Sequence, residues 1–427
     1  MLGIVIGLLL LMYLAYRGWS IIWIAPICAT VVALFGGVEL LPNYTESYMG
    51  GFVAFAKSWF PVFMLGAIFG KLMEDTGAAK SVAKFITKLI GPKRAILGVV
   101  AGCGVLTYGG VSLFVVVFAI YPLAVALFRE ANISRKLIPA AIALGSFTFT
   151  MTAFPGTPQI QNLIPMEYFR TTPTAAPIIG LIAGLIMAAG GYMYLVWTER
   201  KLTANGDGFI EPEENIEEVN EDSLPNPFVS FLPLVSVIVT LNFLEWNVIP
   251  ALLSGIILIM ALNYKMLPKF TEAINKGAAG SVIAIINTSA AVGFGAVVRA
   301  VPGFTTLTDF VLGIEGNPLI SEAIAVNLLA GATGSASGGL GIALAALGEK
   351  YYQLALSSGM DPAVFHRVAS LACGGLDSLP HNGAVLTLLA ITGMTHKKSY
   401  LHIFVVATVI PVLAVIVAII LASMGVV

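Results

Sequence analysis

The segment 94–128, RAILGVVAGCGVLTYGGVSLFVVVFAIYPLAVALF, decides the fold of this chain. It is apolar almost throughout and long enough for two helices, but the run from Thr107 to Gly110 (TYGG) interrupts it midway. A membrane-spanning helix needs about 20 apolar residues, and paired glycines disfavour an uninterrupted helix. The segment therefore favours a re-entrant hairpin, whose two helical legs enter and leave a membrane on the same side. The alternative is two full spans, which would lose the match between the two halves of the chain.

The composition places the whole chain in a membrane. Of its 427 residues 58% are hydrophobic and 11% are charged, and the mean hydropathy is +0.93. Soluble domains carry about 25% charged residues, so this chain has too few to cover a surface in water. The net charge of −1 gives no reason to expect a nucleic acid partner. We expect an all-α polytopic membrane protein surrounded by a lipid bilayer.

Other interruptions and spans follow the same order in both halves of the chain. The first half has a broken helix at about 137–165, interrupted at Pro155 and Gly156. It also has four predicted spans, which are Leu2–Tyr16, Trp19–Val38, Gly51–Met73 and Ala175–Trp197. The second half has a hairpin at about 318–356, a broken helix at about 363–393, and the spans Phe228–Phe243, Val248–Asn263, Gly277–Val298 and Leu401–Met424. Short interfacial helices are predicted at Ala78–Pro92 and Phe304–Ile314.

This order predicts an internal repeat, with residues 1–198 and 227–427 as the two units. The segment 199–226 between them is acidic and contains glycine and proline, which is typical of a solvated linker. If each hairpin is re-entrant, each half crosses the membrane five times, and an odd number makes the repeats inverted. Interrupted segments at matching places of two repeats indicate the binding site of a secondary transporter.

The distribution of basic residues sets the predicted orientation. One face receives Lys57, Arg170, Arg299, Lys350 and Arg367, and the other receives the remaining 17 of the 22 Lys and Arg residues. Because cytoplasmic loops are enriched in Lys and Arg, this count places the linker in the cytoplasm and both termini outside.

Four breaks, at 107–112, 153–159, 333–339 and 377–383, are the predicted substrate site, because non-helical backbone at membrane depth must line a cavity or be buried in protein. Helix N-termini there attract an anion, and neutral hydroxyls and amides cluster beside them. The alternative is that these small residues only allow close helix packing, which we favour for Ser281 and Ser289. The predicted substrate-binding residues are Thr107, Tyr108, Gly109, Gly110, Ser112, Thr152, Pro155, Gly156, Thr157, Gln159, Ser335, Ser337, Gly338, Gly339, Ser378, His381 and Asn382.

Asp377 and His381 are the predicted proton-coupling pair. A carboxylate at membrane depth is unfavourable by roughly 2.5–3.5 kcal/mol, and histidine titrates near neutrality. The alternative is structural: Asp377 caps the following half-helix and His381 donates to a carbonyl. The remaining histidines, His366 among them, are predicted to lie at interfaces without a role. No metal or disulfide motif includes the three cysteines.

The segments ALGSFTFTMTAFPGTPQIQNLIP (143–165) and GGLDSLPHNGAVLTLLAITGMTHKKSY (374–400) resemble the gluconate permease (GntP) family, and within it the branch of D-β-hydroxybutyrate permeases. The resemblance implies membership of the ion transporter superfamily, inverted repeats with re-entrant hairpins, a homodimer and elevator-type movement. It also implies uptake of small hydroxy-monocarboxylates with protons across the bacterial cytoplasmic membrane.

The predicted function is therefore proton-coupled symport of a small hydroxy-monocarboxylate such as 3-hydroxybutyrate or a gluconate-like acid, with no resident cofactor. Sodium coupling is the first alternative, although the hairpin tips lack the Ser-Asn-Thr runs of sodium-coupled members of the superfamily. A passive channel is the second, and two capped hairpins argue against its open pore. An intramembrane enzyme using Cys373, Asp377 and His381 is disfavoured, because His381 lies beyond the break at Pro380.

Overall fold

The computed structural model describes residues 2–17, 19–212, 224–306, 317–380 and 382–427, which form helices and turns without a β-strand. His381, most of the predicted helix Phe304–Ile314 and residues 213–223 of the predicted linker lie outside these ranges. The helices of the first half are α1 Leu2–Tyr16, α2 Ile21–Gly36, α3 Met49–Asp75, α4 Ala78–Ile90, α5 Ala95–Tyr108, α6 Leu113–Glu130, α7 Ile138–Ser146, α8 Ile160–Phe169 and α9 Pro177–Ala204. Those of the second half are α10 Pro227–Asn242, α11 Val248–Leu262, α12 Leu267–Ala300, α13 Pro318–Thr333, α14 Ala336–Ser358, α15 Pro362–Cys373, α16 Gly383–Ile391 and α17 His396–Ser423.

The lengths of the apolar helices show a multi-pass membrane protein. Among the described residues, 5 helical segments are long and apolar enough to cross a membrane, and a sixth arises if α4 and the helix that follows it at 96° count as one span. Helices α1, α2, α10 and α11 are apolar but have only 15 or 16 residues. At 1.5 Å per residue they reach about 24 Å, which suits a bilayer when flanking residues extend to its surface.

Two long helices, α3 and α12, form the centre of the molecule. They pack antiparallel, because Gly51 lies against Ala296 while Gly277 lies against the backbone of Ile68. Both exceed the predicted spans, since the apolar stretches continue into polar turns that remain helical. At the start of α12, for example, exposed Glu272 and Lys276 form an i,i+4 ion pair at 2.7 Å.

Around this centre, helices of each half pack on helices of the other half. Helix α2 packs on α12, and its counterpart α11 packs on α3. Helices α9 and α17, the last of each half, pack on each other. Equivalent helices of the two halves thus have equivalent neighbours.

Each predicted hairpin consists of two packed antiparallel legs. In hairpin 1 (α5 and α6), Gly98 faces Leu127 and Gly102 faces Ile120. In hairpin 2 (α13 and α14), the Ser321 and Tyr351 hydroxyls are hydrogen-bonded at 2.9 Å near the base, and Gly339 touches the backbone of Ala330 near the tip. The legs turn at residues 109–112 and 334–335, which are the glycine interruptions of the sequence.

The second part of each broken helix packs on the hairpin of the other half. Helix α8 packs on α14, and α16 packs on α6. The first broken helix, predicted at about 137–165 with its interruption at Pro155 and Gly156, is interrupted earlier, because α7 ends at Ser146 and a π-helical turn follows at Phe149–Ala153. These packings bring all four breaks towards the middle of α3 and α12.

Candidate substrate cavity

The tip of hairpin 1 is built by a glycine that takes a left-handed conformation. Helix α5 ends at Tyr108, and Gly110 follows with φ of +95°, which a residue with a side chain rarely adopts. The Tyr108 hydroxyl donates to the Pro155 carbonyl at 2.9 Å, and Gln159 Nε2 donates to the Thr107 carbonyl at 2.7 Å. The first hairpin tip is therefore bound directly to the first break.

The tip of hairpin 2 is held by an asparagine in the equivalent position. Asn382 precedes α16 as Gln159 precedes α8. Asn382 Nδ2 donates to the Gly334 carbonyl at 2.9 Å and to the Asp377 carbonyl at 2.8 Å, while its Oδ1 accepts from the Val385 N–H. A side-chain amide thus links tip and break in both halves, and the second also caps its helix.

A cavity of about 520 Å³ lies where the four breaks meet the middle of α3 and α12. It includes exposed Trp19 and Ser20 in the turn between α1 and α2, and so reaches the protein surface there. The predicted site residues that line it are Gly110, Ser112, Gln159, Ser335, Ser337, Asp377 and Asn382.

Ten other predicted site residues lie behind this lining. Several of them hold the breaks in place: the Thr152 carbonyl accepts from Ser370 Oγ at 2.8 Å, and the Gly156 carbonyl accepts from Asn242 Nδ2 at 2.9 Å. The members of this outer group are Thr107, Tyr108, Gly109, Thr152, Pro155, Gly156, Thr157, Gly338, Gly339 and Ser378. His381 lies outside the described residues.

The central helices add lining residues that the sequence interpretation missed. Ser281, predicted to be a packing residue, lies in the wall together with Asn287 and Thr288 of α12, and Gln161 lies opposite. The polar run Asn287-Thr288-Ser289 inside an apolar helix was the available signal. Both hairpins, both broken helices and α12 therefore offer at least one neutral hydrogen-bonding side chain, whereas α3 lines the cavity with apolar residues and glycine.

Asp377 is the charged residue among the described cavity-lining residues, where neither Lys nor Arg occurs. Its side chain is 5% exposed and accepts a hydrogen bond from Ser378 Oγ at 3.1 Å. Tyr400 donates to the adjacent Ser378 carbonyl at 3.1 Å and so fixes this turn. In the part of the chain that the structure describes, no ion pair involves Asp377.

Arg367 corrects one of the predictions. The charge count placed it on the outer face, but it is completely buried in α15. Its guanidinium donates to the Ala175 carbonyl at 2.8 and 3.0 Å, to the Pro173 carbonyl at 3.2 Å and to Asn162 Oδ1 at 2.8 Å. These acceptors come from the first half, so a cation of the second half holds the first broken helix from behind.

His366 is also buried, which contradicts its predicted interfacial position. Its ring is hydrogen-bonded to Thr171 Oγ1 at 2.6 Å and to Asn162 Oδ1 at 3.3 Å. The interpretation failed because the acceptors that bury His366 and Arg367 come from a distant stretch of chain. Local spacing in α15 contains no sign of them.

A second cavity, of about 780 Å³, adjoins the next turn of α3. Ser58, Trp59 and Val62 line it, and Val62 lines the first cavity as well. Its other walls are α8, the loop 171–174 and the turn between α10 and α11. The two cavities thus approach the same point of α3 from different sides.

Within the described ranges, no three His, Cys, Asp or Glu side chains lie together in a way that could bind a metal ion. The three cysteines are buried and unbridged.

Comparisons with known proteins agree with this architecture. The sequence profile of the GntP family permeases matches residues 1–260. The chain belongs to the GntP family of permeases. This confirms the resemblance to the gluconate permease family, and it makes the protein a transport protein rather than an enzyme.

Relatives of this permease include uncharacterized transporters and permeases of other bacteria. An uncharacterized transporter of Bacillus subtilis, YxjC, is 43% identical over 449 residues, covering 95% of each chain. An uncharacterized permease of Haemophilus influenzae is 26% identical over 77% of this chain and 73% of its own. The crystal structure of the YdaH transporter of Alcanivorax borkumensis has the same fold, with a TM-score of 0.63 over 90% of this chain and 89% of its own at 12% identity.

Proposed function

We propose that this GntP-family permease is a proton-coupled symporter of a small hydroxy-monocarboxylate such as 3-hydroxybutyrate or a gluconate-like acid. The observation that carries the proposal is the cavity itself, where four helix breaks offer neutral donors and one carboxyl group. Neutral hydroxyls and amides suit a substrate with one carboxylate and one or more hydroxyls. A dicarboxylate or phosphate would instead favour a basic clamp.

Asp377 is the proposed proton carrier. A buried carboxylate without a cationic partner is unfavourable beside a substrate anion, because like charges repel at close range. Proton binding at Asp377 removes that repulsion and so links the proton to the substrate. His381, the other predicted member of the pair, follows in the same break.

The proposed cycle is elevator-type. In it, the hairpins and broken helices move against α3 and α12 between states that open to opposite sides. The antiparallel packing of α3 on α12 and the exchanged contacts of α2 and α11 support two inverted repeats, 1–198 and 227–427. The two cavities that meet at Val62 support access from two sides. We also propose that the protein is a homodimer, which rests on the family resemblance alone.

Uptake into proteoliposomes tests the coupling. Labelled 3-hydroxybutyrate and gluconate are offered under an inward proton gradient without Na⁺, an inward Na⁺ gradient without a pH difference, or neither. We expect accumulation above equilibrium with the proton gradient alone, and its loss when a protonophore is added. Accumulation driven by Na⁺ would establish the sodium alternative, and equilibration without accumulation would establish a passive facilitator.

The proposed orientation in a bacterial cytoplasmic membrane has both termini outside and the linker inside. Two exposed positions on opposite faces test it, Glu39 after α2 and Asn205 after α9. The native cysteines are buried, so single introduced cysteines can be labelled selectively. An impermeant maleimide should label Glu39→Cys in intact cells, and Asn205→Cys only after permeabilisation. The reverse pattern would invert the topology.

A further inference from the structure

Glu322 is an acidic residue that does not line the substrate cavity. It lies in the second turn of α13, the first leg of hairpin 2, and is 0% exposed. Among the described residues, neither carboxyl oxygen has a hydrogen-bond partner and no ion pair includes Glu322. An ionised carboxylate in such a place is unfavourable by several kcal/mol, so the group holds a proton in this conformation.

The described residues around Glu322 offer no counter-charge. Tyr351 of α14 is the titratable neighbour, and its hydroxyl is already hydrogen-bonded to Ser321. On α15, His366 and Arg367 point into the first broken helix. Helix α1 contributes Tyr13, which is 58% exposed, and the part of α17 that packs on α13 has no titratable residue.

Packing alone does not explain an acid at this position. Helix α13 exposes Ile320, Ile324 and Leu328 on one face and buries Leu319 and Val326 on the other. Glu322 lies on the buried face, where a leucine or methionine would fill similar space without an unpaired polar group. An unpaired buried polar group costs about 1–3 kcal/mol of folding stability, so hydrophobic packing would favour an apolar residue here.

Glu322 is also distant from the substrate. The cavity begins on α13 at Thr333, so 11 residues, or about 16 Å of helix, separate the two. A proton at Glu322 therefore neither contacts the substrate nor competes with Asp377. Both carboxyls nevertheless belong to the proposed moving unit of hairpin 2 and the second broken helix.

We propose that Glu322 is a second proton-binding site of the transport cycle, loaded in this conformation and opened to water in another. The step is the simple equilibrium between carboxylate plus H⁺ and carboxylic acid, with water as proton donor and acceptor. The inference rests on the proposed proton-coupled function. It adds a second transported proton, bound within hairpin 2 rather than beside the substrate.

Proteoliposomes containing wild type, Glu322→Gln, Glu322→Asp or the matched control Glu349→Gln test the inference. Glu349 lies exposed on the other leg of the same hairpin. Substrate counterflow, which needs no net proton movement, should remain in all four and reports folding. For each pH unit of gradient, the maximal accumulation should fall about tenfold in Glu322→Gln, because one coupled proton is lost. Glu322→Asp should restore part of it, and Glu349→Gln should match wild type.

Infrared difference spectra of the purified proteins supply a readout that is independent of transport. One carbonyl-stretch band of a protonated carboxylic acid should be present in wild type and missing from Glu322→Gln, whereas bands from other protonated carboxyls such as Asp377 should be present in both. Absence of a band that Glu322→Gln loses overturns the inference, and so does a normal accumulation ratio in Glu322→Gln. If wild type itself ignores the proton gradient, the proposed function fails, and this outcome is distinct from a proton-coupled wild type with an unaffected Glu322→Gln variant.

Discussion

The two hairpin–break pairs share one plan and differ in charge and tightness. In both, an amide preceding the second half-helix, Gln159 or Asn382, links the hairpin tip to the break. The first pair has no charged residue in the described cavity lining, whereas the second contributes Asp377. The legs of hairpin 2 touch backbone to backbone at Gly339, while those of hairpin 1 are separated by side chains. We infer that the first pair binds the substrate through uncharged groups and that the second pair, through Asp377, binds the proton.

The largest expected effect comes from widening hairpin 2. In Gly339→Ala the new methyl group would meet the backbone of Ala330, whereas in Gly98→Ala it would meet Leu127 Cδ1 at 3.5 Å, an ordinary contact. Gly339→Ala should therefore abolish substrate counterflow and lower the melting temperature strongly, and Gly98→Ala should change neither. Equal tolerance of the two substitutions would contradict the difference in tightness.

Removal of Arg367 should come next, because it supports the first pair from behind. Arg367→Met leaves the Pro173 and Ala175 carbonyls and Asn162 Oδ1 without their buried donor. Each buried acceptor left unpaired costs about 1–3 kcal/mol, so we expect a loss of at least about 3 kcal/mol, measured as a lower melting temperature and a lower yield of monodisperse protein. Arg299→Met is the matched control, since exposed Arg299 also donates to a carbonyl, that of Ala345. A control that is as unstable as Arg367→Met would show that burial is not the reason.

Loss of the amide that makes more hydrogen bonds, Asn382, should destabilise the protein more than loss of Gln159. Asn382 makes two donated bonds and one cap, so Asn382→Leu should cost roughly 2–3 kcal/mol. Gln159 makes one short bond and one of 3.4 Å, so Gln159→Leu should cost roughly 1 kcal/mol. Thermal unfolding with and without substrate measures both. A larger loss for Gln159→Leu would mean that the first link is the stronger one.

The smallest effect concerns the base of hairpin 1. The start of the acidic linker binds there: Asp207 pairs with Lys136, and Glu211 pairs with Arg129 at 2.8 Å. Because these pairs are partly exposed, Asp207→Asn should cost no more than about 1 kcal/mol, and the difference from wild type should vanish at high salt. A salt-independent loss would show that the linker is an integral part of the hairpin.

The predicted glycine interruptions of both two-helix segments coincide with turns between helices, because glycine acts locally, whereas the first broken helix ends earlier than predicted. The predicted two-helix segments end at residues 128 and 356, and the corresponding second helices end at Glu130 and Ser358, two residues later in each case. Tertiary features were not predictable. Arg367 is buried by carbonyls from residues 173–175, and Glu322 by helices from both halves, and neither partner leaves a pattern near the residue itself. The contribution of α12 to the cavity was missed for the same reason, although its polar run at 287–289 marked it.

Proton uptake on substrate binding tests most directly whether substrate and proton meet in the cavity at Asp377. Purified wild type and Asp377→Asn are mixed with 3-hydroxybutyrate or gluconate in weakly buffered solution containing a pH indicator, with Glu349→Gln as control. The account predicts that wild type and Glu349→Gln take up protons as they bind, while Asp377→Asn binds without uptake. Equal proton uptake by Asp377→Asn and wild type would contradict it.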